Sequence, residues 1–131
     1  SRMASGGEIS RVMLALKSLV TGSRMLSTII FDEIDSGISG ETALKMGMIL
    51  RQLAAEVQVI NITHLPQIAG KGDHHYLVYK KDATSGTFTS IRKLNVHERV
   101  EELARMVGGD NPSEAALKTA REMLRFSLAA P

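Results

Sequence analysis

Thr28-Ile29-Ile30-Phe31-Asp32-Glu33-Ile34-Asp35 is the stretch that decides how this chain is read. Leu26 and the apolar run from Ile29 to Phe31 do not alternate with polar residues, which predicts a strand over 26–31 buried on both faces. The run ends directly in two adjacent carboxylates, Asp32 and Glu33. In open α/β sheets, ligands bind beyond the carboxyl ends of the strands. A buried strand ending in Asp-Glu therefore delivers two negative charges to the place where a phosphate-bound metal and an attacking water would sit. For the pair alone, an acidic turn after a strand is the plainer alternative.

Upstream, Ser1-Arg2-Met3-Ala4-Ser5-Gly6-Gly7-Glu8 opens the chain. Ser5 is a good N-cap, and Glu8 completes a capping-box pattern with it. Ile9, Val12, Met13, Leu16, Leu19 and Val20 recur at helical spacing, predicting a helix over about 7–20 with Gly22 as a natural stop. Gly6 and Gly7 at its start leave backbone N–H groups open where the helix dipole adds positive charge, a setting suited to an anion. A plain capped helix accounts for the same residues.

Downstream, Asp35-Ser36-Gly37-Ile38-Ser39-Gly40 is a small polar loop. A second helix is expected over about 41–56, with Leu44, Met48, Leu50, Leu53 and Ala54 supplying its apolar surface. Val57 to Ile62 reads as the next strand. A helix of this length between two strands makes a βαβ crossover, so the strands are expected to be parallel and the connection right-handed. The second strand ends at Thr63-His64-Leu65-Pro66-Gln67. Parallel strands bring His64 out at the same edge as Asp32 and Glu33, although a lone histidine is more often structural or solvated. Leu65 to Ala69 suits a short helical turn, with Pro66 tolerated near its start.

The rest of the chain reads as a hairpin and two helices. Lys71-Gly72-Asp73 is a turn. Residues 76–80 and 87–94 are strand-like, joined by the turn-rich Asp82-Ala83-Thr84-Ser85-Gly86. His74 and His75 are adjacent, so their side chains point apart on an extended chain and suit structural roles better than a shared metal. One helix is expected over about 98–107, stopped by Gly108-Gly109. Asn111-Pro112-Ser113-Glu114 opens another, with Ala116, Leu117, Ala120, Met123, Leu124 and Leu128 on its apolar stripe. Arg99, Glu101, Glu102, Arg105, Lys118, Arg121, Glu122 and Arg125 read as solvated faces with i,i+4 pairs. Contact of Arg121 and Arg125 with DNA is the less favoured alternative.

Composition bounds the class. With 131 residues, a hydrophobic fraction of 44% and a charged fraction of 23%, the sequence suits a single compact domain over 1–131. A formal net charge of +2 does not by itself argue for nucleic acid. There is no cysteine, hence no disulfide framework and no thiolate metal site. No apolar run approaches the roughly 18 residues of a membrane span, and no signal peptide is visible.

The ordered set is more specific than any of its parts. Ser-Gly-Gly-Glu before a helix, an apolar strand ending Asp-Glu, a Ser-Gly loop and a strand ending Thr-His together resemble the C-terminal lobe of an ABC-type ATPase head. Ser5-Gly6-Gly7-Glu8 is similar to the signature motif, Ile29-Ile30-Phe31-Asp32-Glu33 to Walker B, Ser36-Gly37-Ile38-Ser39 to the D-loop, and His64 to the switch histidine. The wording is closer still to the RecN family of SMC-like ATPases in bacterial double-strand-break repair. Ala4-Ser5-Gly6-Gly7-Glu8-Ile9-Ser10-Arg11, Phe31 to Gly40, Thr63-His64-Leu65-Pro66-Gln67 and Arg99-Val100-Glu101-Glu102-Leu103-Ala104-Arg105-Met106 carry that resemblance. Ser39 stands where many D-loops have Asp, which suits the Gly-Ile-Ser loop of the narrower family and leaves the loop's cross-dimer contacts open.

The resemblance implies an α/β fold, a partial P-loop NTPase lobe with a short parallel sheet, a β-hairpin and flanking helices. It implies ATP and Mg²⁺ as cofactors. Asp32 would help hold Mg²⁺, and Glu33 would polarise the attacking water. His64 would contact the γ-phosphate. Ser5, Gly6 and Gly7, with Glu8 closing the motif, would meet ATP bound to the other head, and Ser36, Gly37 and Ser39 would line the nucleotide interface. The implied partners are the N-terminal half of the same head, a second head of a homodimer, and DNA through the full-length protein. The implied location is cytoplasmic and nucleoid-associated, with no membrane.

No G-x-x-x-x-G-K-[ST] occurs, and Gly70-Lys71-Gly72 lacks both the upstream glycine and the following Ser/Thr. Since the first residues already lie at the signature motif, the expectation is a C-terminal piece of a longer protein. Its ATPase activity in isolation is expected to be negligible. Three alternatives stay open: a non-hydrolysing interaction module, a head lobe of another SMC or RecF kind, and a metal-dependent hydrolase, which would need further ligands.

Overall fold

The computed structural model describes residues 15, 27–83 and 86–128. Of the helix expected over 7–20, only Ala15 is among them, and it is helical. Ser5, Gly6, Gly7 and Glu8 lie outside the described residues, as does Leu26. Contacts divide the chain into two compact units between Lys71 and Gly72.

The first unit is a β-α-β arrangement. Strand β1 (Thr28–Asp32) runs into a loop, helix α1 (Gly40–Leu53), strand β2 (Gln58–Ile62) and a one-turn helix α2 (Pro66–Ala69). The strands pair in parallel, Thr28 opposite Gln58 through to Asp32 opposite Ile62, as expected for strands joined by a crossover helix. Pro66 opens α2 at its first turn, where its missing N–H costs nothing.

One face of this pair packs under α1. Phe31, Ile38, Ala43, Met46, Leu50, Leu53 and Ile68 form the buried core, with Ile29, Val59 and Leu65 packed against it. The expectation of a β1 covered on both faces does not hold. Ile30 is 65% exposed, and Ile60 and Ile62 stand exposed beside it on the same face. The apolar run reports residue type on both faces, whereas α1 covers only one. The expected apolar surface of α1 also shifts. Leu44, Met48 and Ala54 are exposed, and the inward stripe is Ala43, Met46, Gly47, Leu50 and Leu53. Small residues face inward because α2 comes close: a Cβ on Gly47 would lie 2.9 Å from the Gln67 carbonyl oxygen.

The second unit holds the hairpin and two helices. Strands β3 (Tyr76–Ala83) and β4 (Gly86–Lys93) are antiparallel and pair from Tyr76–Lys93 to Ala83–Gly86. The pairing leaves only residues 84–85 between the strands, so most of the expected linker belongs to the ladder. Helix α3 (Val96–Gly108) starts earlier than expected. Asn95 caps it, accepting from the Glu98 N–H at 3.0 Å while the Glu98 carboxylate accepts from the Asn95 N–H at 2.8 Å. Gly109, at φ 83°, ends the helix. Helix α4 (Glu114–Leu128) packs on α3, with Leu103 and Ala104 of α3 and Ala116, Ala120 and Leu124 of α4 buried.

Arg99 is a second departure. Its place in a charge-rich stretch suggests solvent, yet it is buried. Its guanidinium donates to the carbonyl oxygens of Gly72 at 2.5 Å and Asp73 at 3.1 Å, tying the loop before β3 to α3.

Candidate active site

The site is built by the register of the parallel pair. Asp32, the last residue of β1, sits opposite Ile62, the last of β2. Both chains then leave the sheet at the same edge, β1 into Glu33 and β2 into Thr63 and His64. Asp32 and Glu33 are exposed, and the His64 side chain is 65% exposed. A polar edge of two carboxylates and an imidazole therefore opens outward from a buried support.

Glu33 is held in an uncommon conformation. Its φ is +49°, the one positive value at a non-glycine residue among the described residues, in the left-handed region that side chains with a Cβ disfavour. Its N–H still donates to the Ile62 carbonyl at 3.1 Å. The backbone thus turns sharply just past the ladder, and the turn sets where the carboxylate emerges. Strained positions of this kind concentrate at functional sites.

The loop beyond carries the other predicted residues. Ser36 is exposed, Gly37 takes φ +82°, and Ser39 occupies the position before α1 without a side-chain capping bond. The structure brings Asp32, Glu33 and His64 to one edge and places Ser36, Gly37 and Ser39 in the loop that follows.

Asp35 is the residue that sequence reasoning passed over. It stands in the same loop with 0% exposure. The Thr63 hydroxyl donates to its Oδ2, and that hydroxyl oxygen accepts from the Leu65 N–H at 3.0 Å. His64 Nδ1 lies 3.8 Å from the same Oδ2. Asp35 Oδ1 is buried and finds no hydrogen-bond partner among the described residues. No local pattern marks this role, since a loop aspartate is ordinarily solvated and its partner lies in the loop after the next strand.

The donor set suits a metal delivered with a phosphate. Among the described residues there is no group of three or more His, Cys, Asp or Glu able to hold a metal ion. Mg²⁺ commonly takes one or two carboxylates and completes its shell with waters and substrate phosphates. The exposed carboxylate of Asp32 fits that pattern, and a dedicated protein cage does not.

No family model matches the sequence. Curated relatives do. The chain is 49% identical over 126 residues to the DNA repair protein RecN of Rickettsia conorii, covering 96% of this chain and 23% of that protein. It is 46% identical over 124 residues to RecN of Haemophilus influenzae, covering 95% of this chain and 22% of that protein. A solved chain from work on ATP-driven dimerization and DNA-stimulated activation of SMC ATPases superposes with a TM-score of 0.58 at 15% identity, over 83% of this chain and 65% of that one. The fold is therefore that of part of an SMC-type ATPase head, with a short parallel sheet, a hairpin and flanking helices. In sequence the chain is similar to RecN along nearly its whole length, and it spans less than a quarter of the RecN proteins it matches. No described helix is long and apolar enough to cross a membrane.

Proposed function

We propose that this chain is the C-terminal segment of the ATPase head of a RecN-like DNA double-strand-break repair protein. It contributes Walker B and the signature motif to ATP binding and hydrolysis across a head dimer. The observation that supports this reading above others is the parallel register that ends at Asp32 opposite Ile62. That register delivers Asp32, Glu33 and His64 to one edge, where phosphoryl-transfer catalysis by positioning and charge needs them.

In this reading Glu33 is the catalytic carboxylate. It orients the attacking water and accepts its proton, and its exposed position at the edge leaves room for that water. Asp32 would help hold Mg²⁺, which would supply positive charge beside the phosphate oxygens. His64 meets the γ-phosphate side of the site. Ser5, Gly6 and Gly7, with Glu8 closing the motif, meet ATP held by the second head through hydroxyl and backbone N–H donors. Ser36, Gly37 and Ser39 line the interface between heads. The phosphate-cradling loop comes from the N-terminal half of the same head, so 1–131 acts as one lobe, inactive alone. DNA engagement belongs to the full-length protein, in the cytoplasm at the nucleoid.

Complementation between two defective heads tests this assignment. Heads completed with the Walker A segment and carrying Glu33→Gln, or carrying Ser5→Arg, are each expected to be inactive. Mixed, they form heterodimers in which one site keeps both an intact Glu33 and an intact Ser5 from the opposite head. Restored hydrolysis in the mixture supports a composite site. Its absence, with heterodimers demonstrated, rejects one.

A further inference from the structure

The mechanism above uses the exposed rim of the site and leaves its buried support unassigned. Asp35 is that support. A carboxylate removed wholly from water is costly unless donors meet it. Here one donor is fixed, the Thr63 hydroxyl on Oδ2. The direction of that bond is settled by its neighbour. Thr63 Oγ1 accepts from the Leu65 N–H at 3.0 Å, and its single proton is given to Asp35. The other oxygen, Oδ1, has no partner among the described residues. Among the described residues the carboxylate thus meets fewer donors than it can use, and the imidazole nitrogen His64 Nδ1 is 3.8 Å from Oδ2.

We propose that Asp35 is a positioning residue for His64: its buried carboxylate, latched to Thr63, draws the Nδ1–H of His64 inward and so presents Nε2 at the edge shared with Asp32 and Glu33. The choice of nitrogen follows from chemistry. A neutral imidazole carries one proton, and the hydrogen bond made by one nitrogen fixes the state of the other. An anionic acceptor beside Nδ1 favours the proton there and leaves the Nε2 lone pair facing outward. The present separation exceeds a hydrogen bond, and a ring movement of under about 1 Å closes it. The Asp35–Thr63 bond also ties the loop after β1 to the loop after β2, so displacement of Glu33 and of His64 is coupled through one buried contact.

This inference deepens the ATPase reading and rests on it for its catalytic meaning, but its geometry is testable without nucleotide. Nitrogen-detected NMR of the histidine side chains in this chain, at a pH near 9 where imidazoles are neutral, reads the tautomer directly. The His64 signals are assigned by their loss in His64→Gln. The expected result is the Nδ1–H tautomer at His64 in the wild-type chain and reversion to Nε2–H in Asp35→Asn. An Nε2–H tautomer in the wild type overturns the proposal, and so does an Nδ1–H tautomer that persists in a folded Asp35→Asn chain. The wild-type spectrum decides even if the variant fails to fold. In the completed head, Asp35→Asn is expected to lower turnover by about 10- to 100-fold, as loss of an orienting partner does elsewhere, with ATP binding retained. A wild-type head that hydrolyses no ATP would reject the ATPase reading while leaving the tautomer result standing.

Discussion

The backbone N–H of Glu33 donates to the carbonyl of Ile62 at 3.1 Å, although Glu33 itself lies at φ +49°. The ladder between β1 and β2 therefore continues one residue past the strand, into a conformation that only glycine adopts freely. The fold tolerates this conformation at a position that carries a carboxylate.

Substitutions at Glu33 should separate stability from activity. Glu33→Gly removes the Cβ that the left-handed conformation disfavours and is expected to stabilise the chain by about 0.5–1 kcal/mol. Glu33→Val adds branching at the same Cβ and is expected to destabilise it by about 1–2 kcal/mol. Glu33→Gln should stay within about 0.5 kcal/mol of the wild type and still abolish turnover of the completed head. Urea denaturation gives all three values. A Glu33→Gly chain less stable than the wild type would contradict the strain.

Gly47 sets the approach of α1 to α2. A Cβ there would lie 2.9 Å from the Gln67 carbonyl oxygen and 3.0 Å from Lys71 Cγ. Helix propensity alone favours Gly47→Ala by about 1 kcal/mol. The overlap is with backbone, which yields poorly, so the net effect is expected to be destabilising by about 1–3 kcal/mol. A melting temperature equal to or above the wild type's would show that the two helices separate easily.

His75 and Arg99 make the second unit sensitive to acid. Burial of His75 lowers its pKa from the ordinary histidine value, the Arg99 charge lowers it further, and Glu102 opposes the shift. The folded state thus resists a proton that the unfolded chain accepts. The stability is complete above the unfolded pKa, about 6.5, and is lost progressively as pH falls below it toward the folded value. The urea midpoint is expected to drop between pH 7.5 and pH 5.5, and the drop should shrink in His75→Gln. Arg99→Ala, which strips donors from two loop carbonyls, is expected to cost about 2–4 kcal/mol. An unchanged pH slope in His75→Gln would exclude the histidine as its origin.

Sequence reasoning reached the parallel pair, the hairpin and the final two helices because each is written in local chemistry. A β-branched run cut off by Asp32-Glu33 is a strand with a polar end, and a helix-length segment before the next run compels parallel pairing. It misjudged α1 because hydrophobicity favours Leu44 and Met48, whereas close packing selects Ala43 and Gly47. It placed the start of α3 too late, although Asn95 followed by Glu98 is a legible capping box. It set Arg99 in solvent because a charge pattern along a helix cannot reveal the Gly72 and Asp73 carbonyls, supplied from far upstream. Asp35 escaped for the same reason: its partner Thr63 lies in the loop after β2, and only the fold brings them together.

The central claim is that Glu33 serves as the catalytic carboxylate in a head completed by a Walker A segment. It is tested most directly by Mg-dependent ATP hydrolysis of this chain alone, of a separately produced N-terminal half, and of the two together. Negligible hydrolysis by either part, clear hydrolysis by the mixture and its loss with Glu33→Gln are predicted. Hydrolysis by this chain alone, or a mixture that associates without hydrolysing ATP, would contradict the account.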